Sequence, residues 1–136
     1  MGLSIRQLIR LTDVGRRDRS EVVKLTAMKV KRNADGMPMV MAKTRTYANP
    51  KTGAPVPKTE GHTYISAFEV YGKHVLCSCS CDDFMYRFEY ALWKHGAARL
   101  EYSNGEPPTS TNPSKLPCLC KHLYLLAKTL VARGLA

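Results

Sequence analysis

The chain has 136 residues, a hydrophobic fraction of 44% and a net charge of +10. That length predicts one modest core, and no apolar run approaches the ~18 residues that a membrane span needs. The charge is uneven, with 13 Lys/Arg against 5 Asp/Glu in residues 1–60 and 8 against 6 in residues 61–136, so the first half points to an anionic partner.

At the N-terminus, "MGLSIRQLIRL" places Arg6 and Arg10 inside its apolar stretch, which a secretory leader does not tolerate. The segment has the amphipathic, Arg-rich character of a transit peptide, but Asp13, Asp18 and Glu21 count against one. Position 6 is Arg rather than Ser or Thr, so the myristoylation pattern is not met. Within 4–11, Ile5, Leu8, Ile9 and Leu11 fall on one face and Ser4 precedes them as an N-cap, which predicts a short helix. "GRRDRS" at 15–20 reads as a polar, charged break.

Residues 22–32 are β-branched and partly alternating, and "NADG" at 33–36 is a turn signal. Residues 37–47 alternate Met37, Met39 and Met41 on one side, the core or interface face of a strand. Residues 22–47 are therefore expected to form a β-hairpin, with a helix over 20–31 as the competing reading. "NPKTGAPVP" at 49–57 is a loop. A second hairpin is predicted over 62–79, turning at Gly72. Residues 82–96 read as a helix capped by Asp82 or Asp83 and stopped at Gly96, with Phe84, Phe88, Ala91 and Leu92 inward. Residues 103–117 form a turn-rich loop, and 122–134 a final helix with Leu123, Leu126, Ala127 and Leu130 apolar. The fold class is α+β, organised as a basic helix-and-hairpin arm over 1–60 and a cysteine-bearing domain over 61–136.

All five cysteines lie in two bursts, "LCSCSCDDF" at 76–84 and "CLCKHLY" at 118–124. A disulfide between cysteines two apart closes a strained ring, and an odd count leaves one thiol over. Pairing between the bursts remains open in an oxidising compartment. Metal coordination accounts for the spacing better. Residues i and i+2 of a strand face the same way, so Cys79 and Cys81 can approach one ion if the chain curls at the strand end. "CKH" at 120–122 adds a thiolate and an imidazole where a helix begins, and the helix N-terminus favours the thiolate. Three Cys and one His fill a tetrahedral zinc shell with no open position, so the ion is structural.

"CSCDDF" and "CKHLYLL" resemble the SWIM-type zinc finger, a C-x-C, a variable insert, then C-x-H opening a helix. The resemblance covers residues 62–133 and implies a ββα finger with Cys79, Cys81, Cys120 and His122 as ligands of one zinc. Three features depart from the pattern: the 38-residue insert over 82–119, which contains its own helix, and the extra Cys77 and Cys118. The extras permit another register, with Cys77 and Cys79 as the first pair or Cys118 in place of Cys120.

Catalysis is not expected. His62, His74 and His95 have no nucleophile beside them in the pattern, and there is no phosphate loop, H-E-x-x-H or G-x-S-x-G. Tyr86, Phe88, Tyr90 and Trp93, beside Arg87 and Lys94, suit helix packing better than base stacking. Two functions follow. One is a structural or docking subunit of a larger assembly, the zinc stapling the domain while the arm grips protein neighbours. The other is a nucleic-acid-binding module. Its phosphate contacts are Arg6, Arg10, Arg16 and Arg17, with Arg19, Lys29, Lys31 and Arg32. SWIM-type fingers occur in transposases, chromatin-remodelling ATPases and ubiquitin ligases as DNA- or protein-interaction modules, which the resemblance makes compatible with both. The stand-alone format, with "CSCDDFMYRFEYALWKHGA" and "YSNGEPP", is similar to SWIM-type proteins of tailed bacteriophages, which implies a virion component. The expected location is a reducing cell interior or a virion, with no membrane and no small-molecule substrate.

Overall fold

The computed structural model describes residues 2–57, 62–100, 112 and 116–135. Helix α1, Ile5–Leu11, opens on a capping box. The Ser4 hydroxyl accepts from the Gln7 amide at 3.1 Å, and the Gln7 side chain accepts from the Ser4 amide at 2.8 Å, so two amides that lack a helical partner are satisfied. Its buried residues, Ile5 and Leu8, lie in the main core.

The stretch read as a polar break is instead a second helix, α2, Val14–Ser20. Its apolar content is too low for periodicity to reveal it, and its stability comes from polar contacts. Asp13 caps the start, accepting from the Arg16 amide at 3.1 Å. Arg17 reaches back and donates to the carbonyls of Thr12, Ile9 and Arg10, the open acceptors where α1 ends.

Four strands then form one antiparallel sheet in the order β1-β2-β3-β4. These are β1, Val23–Arg32; β2, Pro38–Thr46; β3, Thr63–Tyr71; and β4, His74–Cys79. Both hairpins expected from the alternation are present, and the helix over 20–31 is not. Gly36 and Gly72 carry φ of 78° and 65° in the two turns, a region open to glycine at little cost. The inner face of β2 is Val40, Ala42 and Thr44, all buried, whereas Met39 and Met41 are half-buried on the opposite face. The methionine row is therefore not the core face of the strand.

Phe84–Phe88 forms a π-helical stretch that runs directly into α3, Glu89–Lys94. Phe84, Phe88, Ala91 and Leu92 are all buried, as their spacing predicts. The cap differs from expectation: Asp83 stands at the N-cap position, but its carboxylate makes no capping bond. It binds the Arg16 guanidinium at 2.7 Å through both oxygens. The Phe84 amide donates instead to the Cys81 sulfur at 3.4 Å.

The last helix, α4, Lys121–Ala132, buries Leu123, Leu126, Ala127 and Leu130 against the inner face of the sheet and against α1 and α2. The turn-rich loop over 103–117 falls largely outside the described residues. The outer edge of β4 is closed by local backbone bonds, Val75 to the Leu3 carbonyl at 3.0 Å and Cys77 to the Ala97 carbonyl at 2.7 Å. No helix among the described residues is long and apolar enough to cross a membrane.

Candidate metal centre

Cys79 ends β4, Cys81 follows it by two residues, and Cys120 and His122 open α4. The strand end and the helix start meet at the core, and one ligand atom from each of the four residues lies within 4.8 Å of the others. All four are buried. This group can hold one metal ion.

The local structure explains how. The Cys120 side chain is the N-cap of α4 and accepts from the Leu123 amide at 3.5 Å. Cys81 holds the Phe84 amide in the same way at the start of the π-helical stretch. At Cys120, amide donation to sulfur and the positive end of α4 act toward the thiolate, against the burial of that group. On β3, Ser66 pairs directly with Cys79, and its hydroxyl lies 3.4 Å from that sulfur. The Tyr64 ring packs against the His122 imidazole with centroids 4.8 Å apart.

The electrostatics fit a cation. Hydrogen bonds from the Cys120 and Cys81 thiols hold Cys79 well below the ordinary thiol range, while burial, with Cys79 and Cys81 beside it, pushes Cys120 well above it. Ionising both Cys79 and Cys120 at this separation is costly, and a cation held between them would offset that cost. His122 gives the sharper test. It is 2% exposed, and neither ring nitrogen has a hydrogen-bond partner. A buried imidazole with both nitrogens unpaired is costly, and coordination through one of them would remove a large part of that cost. The residues present therefore fit a metal ion.

Cys77 and Cys118 are not part of the group. Cys77 faces the core from β4, and burial alone pushes its thiol far up. Cys118 donates to the Leu11 carbonyl at 3.2 Å, and burial raises it too. All five cysteines are free of disulfides.

Among the basic residues named for phosphate contact, Arg16 and Arg17 are committed internally. Arg16 lies between Asp13 and Asp83 at 2.9 and 2.7 Å and over the Phe88 ring at 4.5 Å. Arg17 bonds the end of α1 and lies 6.0 Å from the Tyr124 ring centre. Arg32 donates to the Gly36 carbonyl within its own turn. Arg6, Arg10, Lys29 and Lys31 are exposed, and Arg19 is half-buried beside a cavity of about 490 Å³ over the cysteine–histidine group.

Ser66 and Tyr64 were missed from sequence, although a signal for Ser66 existed. A hairpin turning at Gly72 pairs Tyr71 with His74, and counting outward sets Ser66 opposite Cys79. Thr12 carried no such signal. Its hydroxyl donates to the Leu8 carbonyl at 2.8 Å and accepts from the Leu119 amide at 3.1 Å, tying α1 to the cysteine segment that leads into α4.

Compared with known proteins, the chain matches no family model, no curated protein and no solved structure.

Proposed function

We propose that this is a non-enzymatic, zinc-stapled docking protein, a subunit of a larger assembly. The observation that carries it is the buried quartet of Cys79, Cys81, Cys120 and His122, with both His122 nitrogens unpartnered. Three thiolates and an imidazole suit zinc, and four protein ligands leave no site for a reacting water. When bound, the ion supplies a fixed cross-link between the end of β4 and the start of α4. The resemblance to SWIM-type fingers supports the zinc assignment, and the likeness to stand-alone phage proteins supports a place in a virion.

A second reading, nucleic-acid binding, is supported by the excess of cations in residues 1–60. Arg16 and Arg17 drop out of its contact set because their guanidinium groups are spent inside the fold.

Native mass spectrometry before and after chelation tests the first reading. One zinc per chain, with five titratable thiols after its removal, is expected. A metal-free chain, or one with Cys79, Cys81 or Cys120 in a disulfide, overturns it. For the second reading, duplex-DNA affinity should fall steeply with salt, and an undetectable or salt-insensitive affinity removes it.

A further inference from the structure

Among the described residues, helices cover only one of the two faces of the sheet. The uncovered face owes its charge pattern to one residue. In β1, Lys24 is an even-numbered position whereas Lys29 and Lys31 are odd, so strict alternation would split them between the two faces. A bulge at Thr26, between Leu25 and Ala27, shifts the register by one. Val23, Leu25, Met28 and Val30 then share the inner side. Lys24, Lys29 and Lys31 share the outer side.

Strand β2 adds Lys43 and Arg45 to the same face. Lys24 stands directly opposite Arg45, a like-charged cross-strand pair that a sheet does not favour for its own stability. Arg45 is the least free of the five cations, since it donates to the Val56 carbonyl at 2.9 Å. Lys24, Lys29, Lys31 and Lys43 are exposed with no ion pair among the described residues. No acid lies on this face of β1 or β2. Glu69, the acid that β3 contributes, is paired with Arg99 and accepts from Asn33.

Between these cations the surface is apolar. Met39 and Met41 are half-buried, and Ile65 is 46% exposed. A depression of about 260 Å³ opens there, lined by Ala27, Lys29, Met41, Lys43 and Ile65. No aromatic ring stands at its centre, which disfavours a platform for stacked bases. Flexible methionines beside cations suit an apolar side chain flanked by carboxylates.

We propose that this outer face docks an acidic amphipathic helix of a partner protein. An apolar anchor fills the depression beside Met41 and Ile65, and carboxylates along the helix meet Lys29, Lys43 and Lys24. The inference rests on the docking reading above and names the chemistry of the partner.

The test uses the full chain, isotope-labelled and first shown to carry its metal, so a failure here leaves the metal centre standing. It is titrated with a synthetic helix bearing Leu on one face and Glu on the other, with a scrambled peptide of the same composition, and with duplex DNA. Amide shifts should change at Ala27, Lys29, Met41, Lys43 and Ile65 with the ordered helix. Affinity should weaken about tenfold or more in Met41→Asp and in the Lys29→Glu, Lys43→Glu double variant. Ile65→Asp, at an exposed site, repeats the test if Met41→Asp disturbs folding. Equal binding of the scrambled peptide, shifts confined to another surface, no peptide binding, or DNA alone moving these residues would each overturn the proposal.

Discussion

The two ends of the sheet treat polar groups in opposite ways. At β4 the polar atoms point inward: three sulfurs and an imidazole lie buried together, and the imidazole has no hydrogen-bond partner among the described residues. At β1 they point outward, as ammonium groups with no ion pair among the described residues, over a shallow apolar surface. Burial makes the first arrangement costly in the absence of a charge-balancing partner, because unpaired polar groups in the core cost far more than exposed ones. Exposure makes the second inexpensive to keep and available to a partner. One end is therefore expected to govern stability, and the other binding.

The sharpest break of that contrast is chelation, or His122→Ala. Either should remove metal-linked folding energy on the order of 10 kcal/mol and abolish the cooperative thermal transition followed by circular dichroism. Unchanged melting would show that the inner end does not depend on a metal. Cys77→Ala serves as the control: it should keep the metal stoichiometry, and a lost ion would bring Cys77 into the ligand set.

Arg16→Ala should cost about 1–2 kcal/mol in urea unfolding, since it removes the bonds to Asp13 and Asp83, of which Asp83 keeps Arg87 at 3.5 Å and both stay partly solvated. Thr12→Val should cost about 1–2 kcal/mol by leaving the buried Leu119 amide without an acceptor. A loss below a few tenths of a kcal/mol in either would mean that these polar contacts do not hold α1 and α2 in place.

Asp13→Asn should be smaller still and should carry a pH signature. Burial pushes the Asp13 carboxyl up, but hydrogen bonds and charge from Arg16 outweigh it and hold the group below the usual carboxylate range. A depressed carboxyl stabilises the fold above its unfolded value of about 3.9 and loses that contribution as pH falls through its folded value. Acid titration of the wild type should show a loss that Asp13→Asn lacks. At the outer face, Lys24→Ala should leave stability unchanged or raise it by about 0.2–1 kcal/mol, because it relieves the contact with Arg45. A marked loss would mean that the outer cations are structural.

Periodicity and spacing were enough to place α1, both hairpins and the inner residues of α3 and α4, because each pattern is written in residues a few positions apart. The C-x-C and C-x-H spacings likewise singled out the four side chains that the structure brings within 4.8 Å. Tertiary contact decided the rest. The α2 helix depends on Arg16 meeting Asp83, 67 positions away, and on Arg17 closing another helix. The exclusion of Cys77 and Cys118 depends on which buried neighbours surround them. The bulge at Thr26 gathers Lys24, Lys29 and Lys31 on one side while Leu25 and Met28, on either side of the slip, both pack against the core. Local pattern fixes the period of a strand, whereas only the packed interior reveals where that period slips.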